Sequence, residues 1–356
     1  MKKNIIAPDG LILLHKRPGV TSFDALRDIK RLIGSGKAGH TGTLDKFADG
    51  LLLVLTGKAL KLSRWFTHCD KQYEGTIRFG IETDTLDPEG SVIANAPLPD
   101  RETVEQALSR FTGEIEQAPP AYSAIHIDGE RASTLARRGE VPEMRKRPVT
   151  IYRLELVAWE PPDARIFVHC SGGTYIRSLA RDIALAAGSR AHLSALLRTQ
   201  VAGFKLENAV LGDLGTGDWG LGNRENAGSG EWGLGNRENA GSGEWGVRSR
   251  ESSSDNDCIS RLYPDITNNN PQSLLPIDKG VFAAINIPCL DISPDDVQKV
   301  IQGKPLAQIL NNVSTAALSG ANSAAALFSQ DAFIAMIERG NDKWNYGYVY
   351  APFPPH

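Results

Sequence analysis

A perfect 13-residue duplication constrains this chain more than any other feature. The segment Trp219–Glu231 recurs unchanged at Trp232–Glu244, and a third copy starts at Trp245-Gly246. A repeat this short and polar cannot bury a face against its neighbours as solenoid repeats do. The surrounding stretch, 211–273, is rich in Gly, Asn and Ser. Such a composition has too few apolar side chains to offset the entropy of ordering it, so it reads as a flexible linker; the alternative is that its repeated Trp residues anchor on the domain surface. Treated as a coil of roughly 62 residues, it would span about 45 Å. A core must then come from the flanking segments, a larger domain at 1–210 and a smaller one at 274–356.

Within 1–210 strand and helix signals alternate. Leu11–Leu14 reads as a buried strand and Pro18-Gly19 as a turn; Thr21 or Ser22 caps a helix reaching about Leu32, stopped by Gly34 and Gly36. Leu51–Leu55 is a second buried strand and Lys58–Phe66 a short helix. Residues 72–80 set Tyr73, Gly75, Ile77 and Phe79 against polar neighbours, the alternation of a half-buried strand. Glu102–Phe111 reads as a helix, Arg147–Trp159 and Arg165–Cys170 as strands, and Ile176, Leu179, Ile183 and Ala187 stand at helical spacing. The pattern predicts an α+β domain with a mixed, largely antiparallel sheet and flanking helices. In 274–356, Pro294–Ile301 looks helical, Gln302–Leu306 a turn, and Ala332–Ile337 and Tyr346–Tyr350 strands, which makes a small β-rich unit.

The cysteines Cys69, Cys170, Cys258 and Cys289 are far apart and form no Cys-x-x-Cys pair. They read as reduced thiols of a cytoplasmic protein, without a zinc site or disulfide framework. The basic start Met1–Pro8 is not expected to act as a signal peptide, and no apolar run is long enough to span a membrane. The formal net charge of −3 hides an asymmetry. Residues 1–205 carry 29 Lys and Arg against 24 Asp and Glu, leaving 10 against 18 in the remainder. The first part has the sign expected of a surface that meets phosphates.

One stretch of the larger domain suggests chemistry. Gly39-His40-Thr41-Gly42-Thr43-Leu44-Asp45 sets an imidazole and a carboxylate among glycines, just ahead of the apolar run Leu51–Leu55. Glycines allow tight turns and close approach to a ligand. Asp45 is accordingly either a turn residue or a carboxylate presented on a loop beside a buried strand.

Further blocks resolve that choice. Lys16–Ser22, Gly39–Asp45, Gly57–Leu62, Lys71–Tyr73, Phe79–Gly90, Gln117–Ala124 and Cys170–Leu179 stand in an order that resembles the bacterial tRNA pseudouridine synthase B family, over roughly residues 10–205. Lys46 stands where that family usually has Pro. The resemblance implies a stand-alone isomerase that converts uridine 55 in the T-arm of tRNA to pseudouridine. The bond from ribose C1′ to uracil N1 breaks, and the base turns and rejoins through C5. No electron is transferred and no group is added, so no metal or cofactor is expected. Alternatives are a synthase of this fold acting on another RNA, and an RNA-binding or RNA-folding factor.

The resemblance also assigns residues. Asp45 carries over as the carboxylate acting at C1′ or C2′. Arg177 carries over as the cation that keeps it ionised, and Tyr73 as the aromatic lying against the uracil and the route for the C5 proton. His40 carries over as the residue that helps displace the stacked target base or occupies the space it vacates, while Tyr175 and Leu196 form further walls; at Leu196 the neighbouring Leu197 competes for the alignment. RNA recognition would rest on shape and phosphate contacts with the T-stem and loop, with Lys16, Arg17, Lys58, Lys61, Arg138, Arg145, Lys146 and Arg147 as candidates. The second domain corresponds to a small RNA-binding domain similar to one shared by pseudouridine synthases and archaeosine transglycosylases. A monomer with tRNA as its partner, no protein partner and no membrane contact is expected.

Overall fold

The computed structural model describes residues 8–34, 36–127, 129–140, 143–212, 274–310, 323–340 and 343–350. The 13-residue repeats and nearly all of the linker expected at 211–273 lie outside the described residues. In chain order the first elements are β1 (Gly10–Lys16), α1 (Ser22–Leu32), β2 (Ala38–His40), β3 (Asp49–Thr56), a 3-10 turn (Gly57–Leu62), α2 (Ser63–Thr67) and β4 (Lys71–Phe79). A side hairpin β5 (Ile81–Thr83) and β6 (Val92–Asn95) is followed by α3 (Arg101–Ser109) and β7 (Gly113–Gln117). Next come the short hairpin β8 (His126–Ile127) and β9 (Glu130–Arg131), then α4 (Ala132–Arg137), β10 (Arg147–Glu160) and β11 (Asp163–Cys170). Helix α5 (Ile176–Ala186) leads to β12 (Ala191–Val201), β13 (Phe204–Lys205) and β14 (Val210–Gly212).

These strands form one ten-stranded sheet in the order β14-β1-β3-β12-β4-β11-β10-β7, with β2 beside β3 and β13 beside β12. Pairing is antiparallel except at β1–β14 and β3–β12, so the sheet is mixed, as the sequence predicts. Its two halves are covered differently. On β3, Leu52 and Val54 pack with Ile12, Leu14 and α1, whereas Leu51, Leu53 and Leu55 pack on the other face with Phe66, Phe204 and Phe282. Burial on both faces explains why this strand reads as an unbroken apolar run. Strand β4 alternates instead: Tyr73, Ile77 and Phe79 face a core that includes Val104 of α3 and Leu179 and Ile183 of α5.

The C-terminal part contains α6 (Lys279–Ala284), β15 (Cys289–Asp291), α7 (Pro294–Ile301), α8 (Leu306–Leu310), β16 (Ala324–Ser329), β17 (Ala332–Gly340) and β18 (Lys343–Val349). Its four strands follow the order β15-β16-β17-β18. It is fastened to the larger part. Leu275 exchanges both backbone hydrogen bonds with Leu11, at 2.9 and 2.8 Å, and Phe282, Phe328 and Phe333 share one core with Leu11, Leu53 and Phe66.

One local reading changes, and one strand is added where the sequence reading assigns no element. The stretch expected to be one helix at Lys58–Phe66 is a 3-10 turn followed by α2, because Gly57 enters at φ +58° and the first turn winds tightly. Ala324–Ser329, with its helix-favouring alanines, is a strand. Paired between β15 and β17, it is buried at five of its six positions, and packing overrides local propensity. No helix among the described residues is long and apolar enough to cross a membrane.

Candidate active site

The loop between β2 and β3 carries Asp45 and is held from several sides. Thr21 is the true cap of α1, accepting from the Asp24 N–H at 3.1 Å. That leaves Ser22 free to clamp the loop: its Oγ accepts from the Leu44 N–H and donates to the Leu44 carbonyl, both at 2.9 Å. The Thr41 N–H donates to Leu53 O on β3 at 3.0 Å, and the Gly19 N–H to Lys46 O at 2.8 Å. Lys46 itself points outward and pairs with Glu89 at 3.2 Å, so the side chain standing in place of Pro ties the loop to the Thr83–Gly90 turn.

Lys16 corrects an expectation. It is fully buried, and its ammonium donates to the carbonyls of Ala48 (2.6 Å), Val20 (2.8 Å), Arg17 (3.0 Å) and Lys46 (3.4 Å). A cation enclosed by backbone oxygens cannot meet a phosphate. Lys16 is an internal strut beneath the Asp45 loop, and burial pulls its pKa down to about 8.

Asp45 keeps 35% of its side chain open and faces Arg177, which keeps 5%. The Arg177 Nη2 donates to Asp45 Oδ1 at 3.0 Å, while Nε lies 2.8 Å from Oδ2 without an aligned hydrogen bond. The same guanidinium donates to Asp87 Oδ2 (3.2 Å) and to the carbonyls of Thr85 (2.8 Å) and Tyr122 (3.1 Å). Asp87 is buried and fixed in turn: Thr85 Oγ1 and the Glu89 N–H donate to its Oδ1 at 2.6 and 3.0 Å. Burial pushes the Asp45 carboxyl above its ordinary pKa; Arg177 opposes the shift and Asp87 adds to it.

Arg177 owes its place to the start of α5. Residue 175 caps that helix through its backbone, gripped by the Gln117 side chain, whose Oε1 accepts from the Tyr175 N–H (2.8 Å) while its Nε2 donates to Tyr175 O (3.1 Å). The Tyr175 side chain is half-buried beside Asp45, and burial raises its pKa. Tyr73 and Leu196 fall in the same core cluster as Leu44, from adjacent strands β4 and β12, and burial pushes the Tyr73 phenol up to about 12. Leu197 points the other way and is half-buried, which resolves the competition in favour of Leu196. His40 ends β2; its Nδ1 is buried without a hydrogen-bond partner, and burial holds the ring below its ordinary pKa. Lys58, Lys61, Arg138, Arg145, Lys146 and Arg147 are exposed, and Arg17 is half-buried.

Reading the sequence missed Asp87 and Arg198. The block Phe79–Gly90 contains Asp87, but nothing local distinguishes it from a turn aspartate. Arg198 directly follows the two competing leucines. Among the described residues no group of three or more His, Cys, Asp or Glu is placed to hold a metal ion.

The chain is similar to known pseudouridine synthases. Residues 30–176 match the family described as TruB family pseudouridylate synthase, N-terminal domain. The tRNA pseudouridine synthase B of Borreliella burgdorferi (strain ZS7) is 44% identical over 206 residues, covering 57% of this chain and 73% of that protein. Its namesake in Bordetella avium (strain 197N) is 50% identical over 207 residues, covering 57% and 84%. Among solved structures, a chain of a Cbf5-Nop10-Gar1 complex is similar in fold, with a TM-score of 0.61 at 23% identity over 94% of this chain and 78% of that one. On its identity to relatives that it covers for more than two thirds of their length, the chain belongs to the tRNA pseudouridine synthase B family.

Proposed function

We propose that the uridine this isomerase converts to pseudouridine in tRNA is the one at position 55 in the T-arm, and that Asp45 is the carboxylate that acts on its ribose. The observation that carries the reading is the Arg177–Asp45 contact, a buried guanidinium against a carboxylate that remains one third open. The guanidinium favours the ionised form that desolvation would otherwise disfavour. Asp45 then acts at C1′ as nucleophile or at C2′ as base, while Tyr73 lies against the uracil, Leu196 and Tyr175 wall it, and His40 fills the space the extruded base leaves.

Lys58, Lys61, Arg145, Lys146 and Arg147 meet the T-stem and loop phosphates, and no cofactor takes part. Residues 1–210 form the catalytic unit and 274–356 a second RNA-binding unit. The chain works as a monomer, with tRNA as its partner, in the cytoplasm.

The test is Asp45→Asn on an unmodified tRNA transcript, with pseudouridine mapped along the product. Turnover at position 55 should vanish while tRNA affinity stays within a few fold, since affinity comes mainly from phosphate contacts. Residual isomerisation above a few per cent would remove Asp45 from its role, and pseudouridine at another position would remove the T-arm assignment.

A further inference from the structure

The two side chains that the proposed mechanism sets on either side of the base belong to different halves of the sheet. Asp45 hangs from the loop before β3, beyond which the sheet runs to β1 and β14, and Tyr73 lies on β4, beyond which it runs to β11, β10 and β7. Among the described residues, strand β12 alone joins the halves. It pairs with β4 along nearly its whole length, but with β3 at only two positions, Leu197↔Asp49 and Arg198↔Gly50. Two ladder positions are a thin joint for a reaction that must keep a carboxylate and an aromatic ring at one separation while a detached base turns between them.

Arg198 stands at that joint. It is paired with Gly50 on one side and Tyr73 on the other, and it is 3% exposed. Its backbone lies so close to β3 that a Cβ at Gly50 would come 2.4 Å from its carbonyl oxygen. Its side chain reaches across to the loop: Nε donates to Leu51 O (2.7 Å), Nη2 to Gly42 O (3.1 Å), and Nη1 lies 3.5 Å from Thr43 O. Among the described residues no carboxylate lies within ion-pair distance of it. A guanidinium buried without a carboxylate partner is costly. Its planar fork is suited to bridging several fixed oxygens at once.

We propose that Arg198 is a positioning residue for the isomerisation, locking the Asp45 loop to the strand that carries Tyr73 so that the two halves of the sheet act as one frame. The inference rests on the roles given above to Asp45 and Tyr73. It also accounts for the electrostatics around the joint, since the Arg198 charge opposes the rise in the Tyr73 pKa and helps hold His40 neutral.

The test compares Arg198→Met, Arg198→Lys and Tyr73→Phe, singly and with Arg198→Met combined with Tyr73→Phe, on a tRNA transcript under single-turnover conditions. Arg198→Met should slow turnover at saturating tRNA by about 100-fold, with KM within threefold because the RNA contacts lie elsewhere. Arg198→Lys, which keeps charge and one or two of the carbonyl contacts, should recover part of the rate. In the Tyr73→Phe background the Arg198→Met effect should shrink well below its single-variant size, because the two act as a unit.

Full additivity, or wild-type turnover in Arg198→Met, overturns the proposal; so does a loss confined to KM. Should Arg198→Met lose its native circular dichroism, Arg198→Lys carries the same cycle with Tyr73→Phe. An Asp45→Asn control run alongside separates the two levels. Turnover in that variant removes the reading on which this inference rests, whereas an inactive Asp45→Asn beside a fully active Arg198→Met removes this inference alone.

Discussion

Arg177 meets two carboxylates with one positive charge, and that imbalance governs how Asp45 titrates. Burial and the Asp87 charge both favour the protonated form of Asp45, and only Arg177 and the more distant Lys16 favour the ionised one. Because the reaction needs the carboxylate ionised, activity should be lost as pH falls through a midpoint above the ordinary aspartate range. Replacing Asp87 with Asn removes a negative neighbour and leaves Arg177 to Asp45 alone. Both changes lower the Asp45 pKa, so the acid limb of a single-turnover pH profile should move to lower pH, even if the plateau rate drops. An unmoved or upward-shifted limb would show that Asp87 does not act on Asp45 through charge. Much of this site was legible in the chain: Asp45, Tyr73, Tyr175 and Arg177 stand in recognisable blocks. What was not legible depends on segments distant in sequence. Asp87 looks like any turn aspartate until Arg177 arrives from 90 residues away. Lys16 reads as a surface cation until the Lys46 and Ala48 carbonyls, 30 and 32 residues away, close over it.

At the scale of elements, apolar patterning revealed more than propensity. The unbroken run on β3 and the alternation on β4 report double and single coverage, and both were readable because burial writes itself into every second residue or into all of them. Ala324–Ser329 was not readable, since its alanines carry no strand signal until neighbours exist on both edges. The turn that follows is similar: Gln330 and Asp331 both adopt positive φ, at +49° and +64°, to close a two-residue hairpin without glycine. Gly50 is the reverse case, a glycine whose need is now visible. At φ +117°, with the Arg198 backbone against it, any side chain meets both strain and a clash. Gly50→Ala should cost about 3 kcal/mol or more, combining backbone strain and overpacking. Thermal unfolding followed by circular dichroism measures this, and a midpoint within a degree of wild type would mean that β3 and β12 separate at little cost.

Across the whole molecule, the chain leaves the larger part and re-enters the described structure at neighbouring points of one strand. Gly212 pairs with Lys16, and Leu275 with Leu11, both on β1. Because β3 occupies one edge of β1 from Gly10 to Lys16, both partners lie along the other edge. Five residues of strand separate the two points, about 17 Å at the usual rise. A ten-residue Gly/Ser linker has a root-mean-square span of about 17 Å, so replacing residues 213–273 with one should leave β14 and Leu275 where they are. Among the described residues, Phe282, Phe328 and Phe333 share one core with Leu11, Leu53 and Phe66, all outside the removed stretch. The replaced chain should therefore unfold in a single transition with its midpoint within about 2 °C of wild type, and convert tRNA at an unchanged rate. The removed stretch contains all the 13-residue repeats, each with one Arg against two Glu, so tRNA affinity at low salt should be equal or slightly tighter. Calorimetry and a filter-binding titration read both outcomes. A fall of ten degrees, or a split into two transitions, would mean that residues 213–273 contribute to the core that joins the two parts.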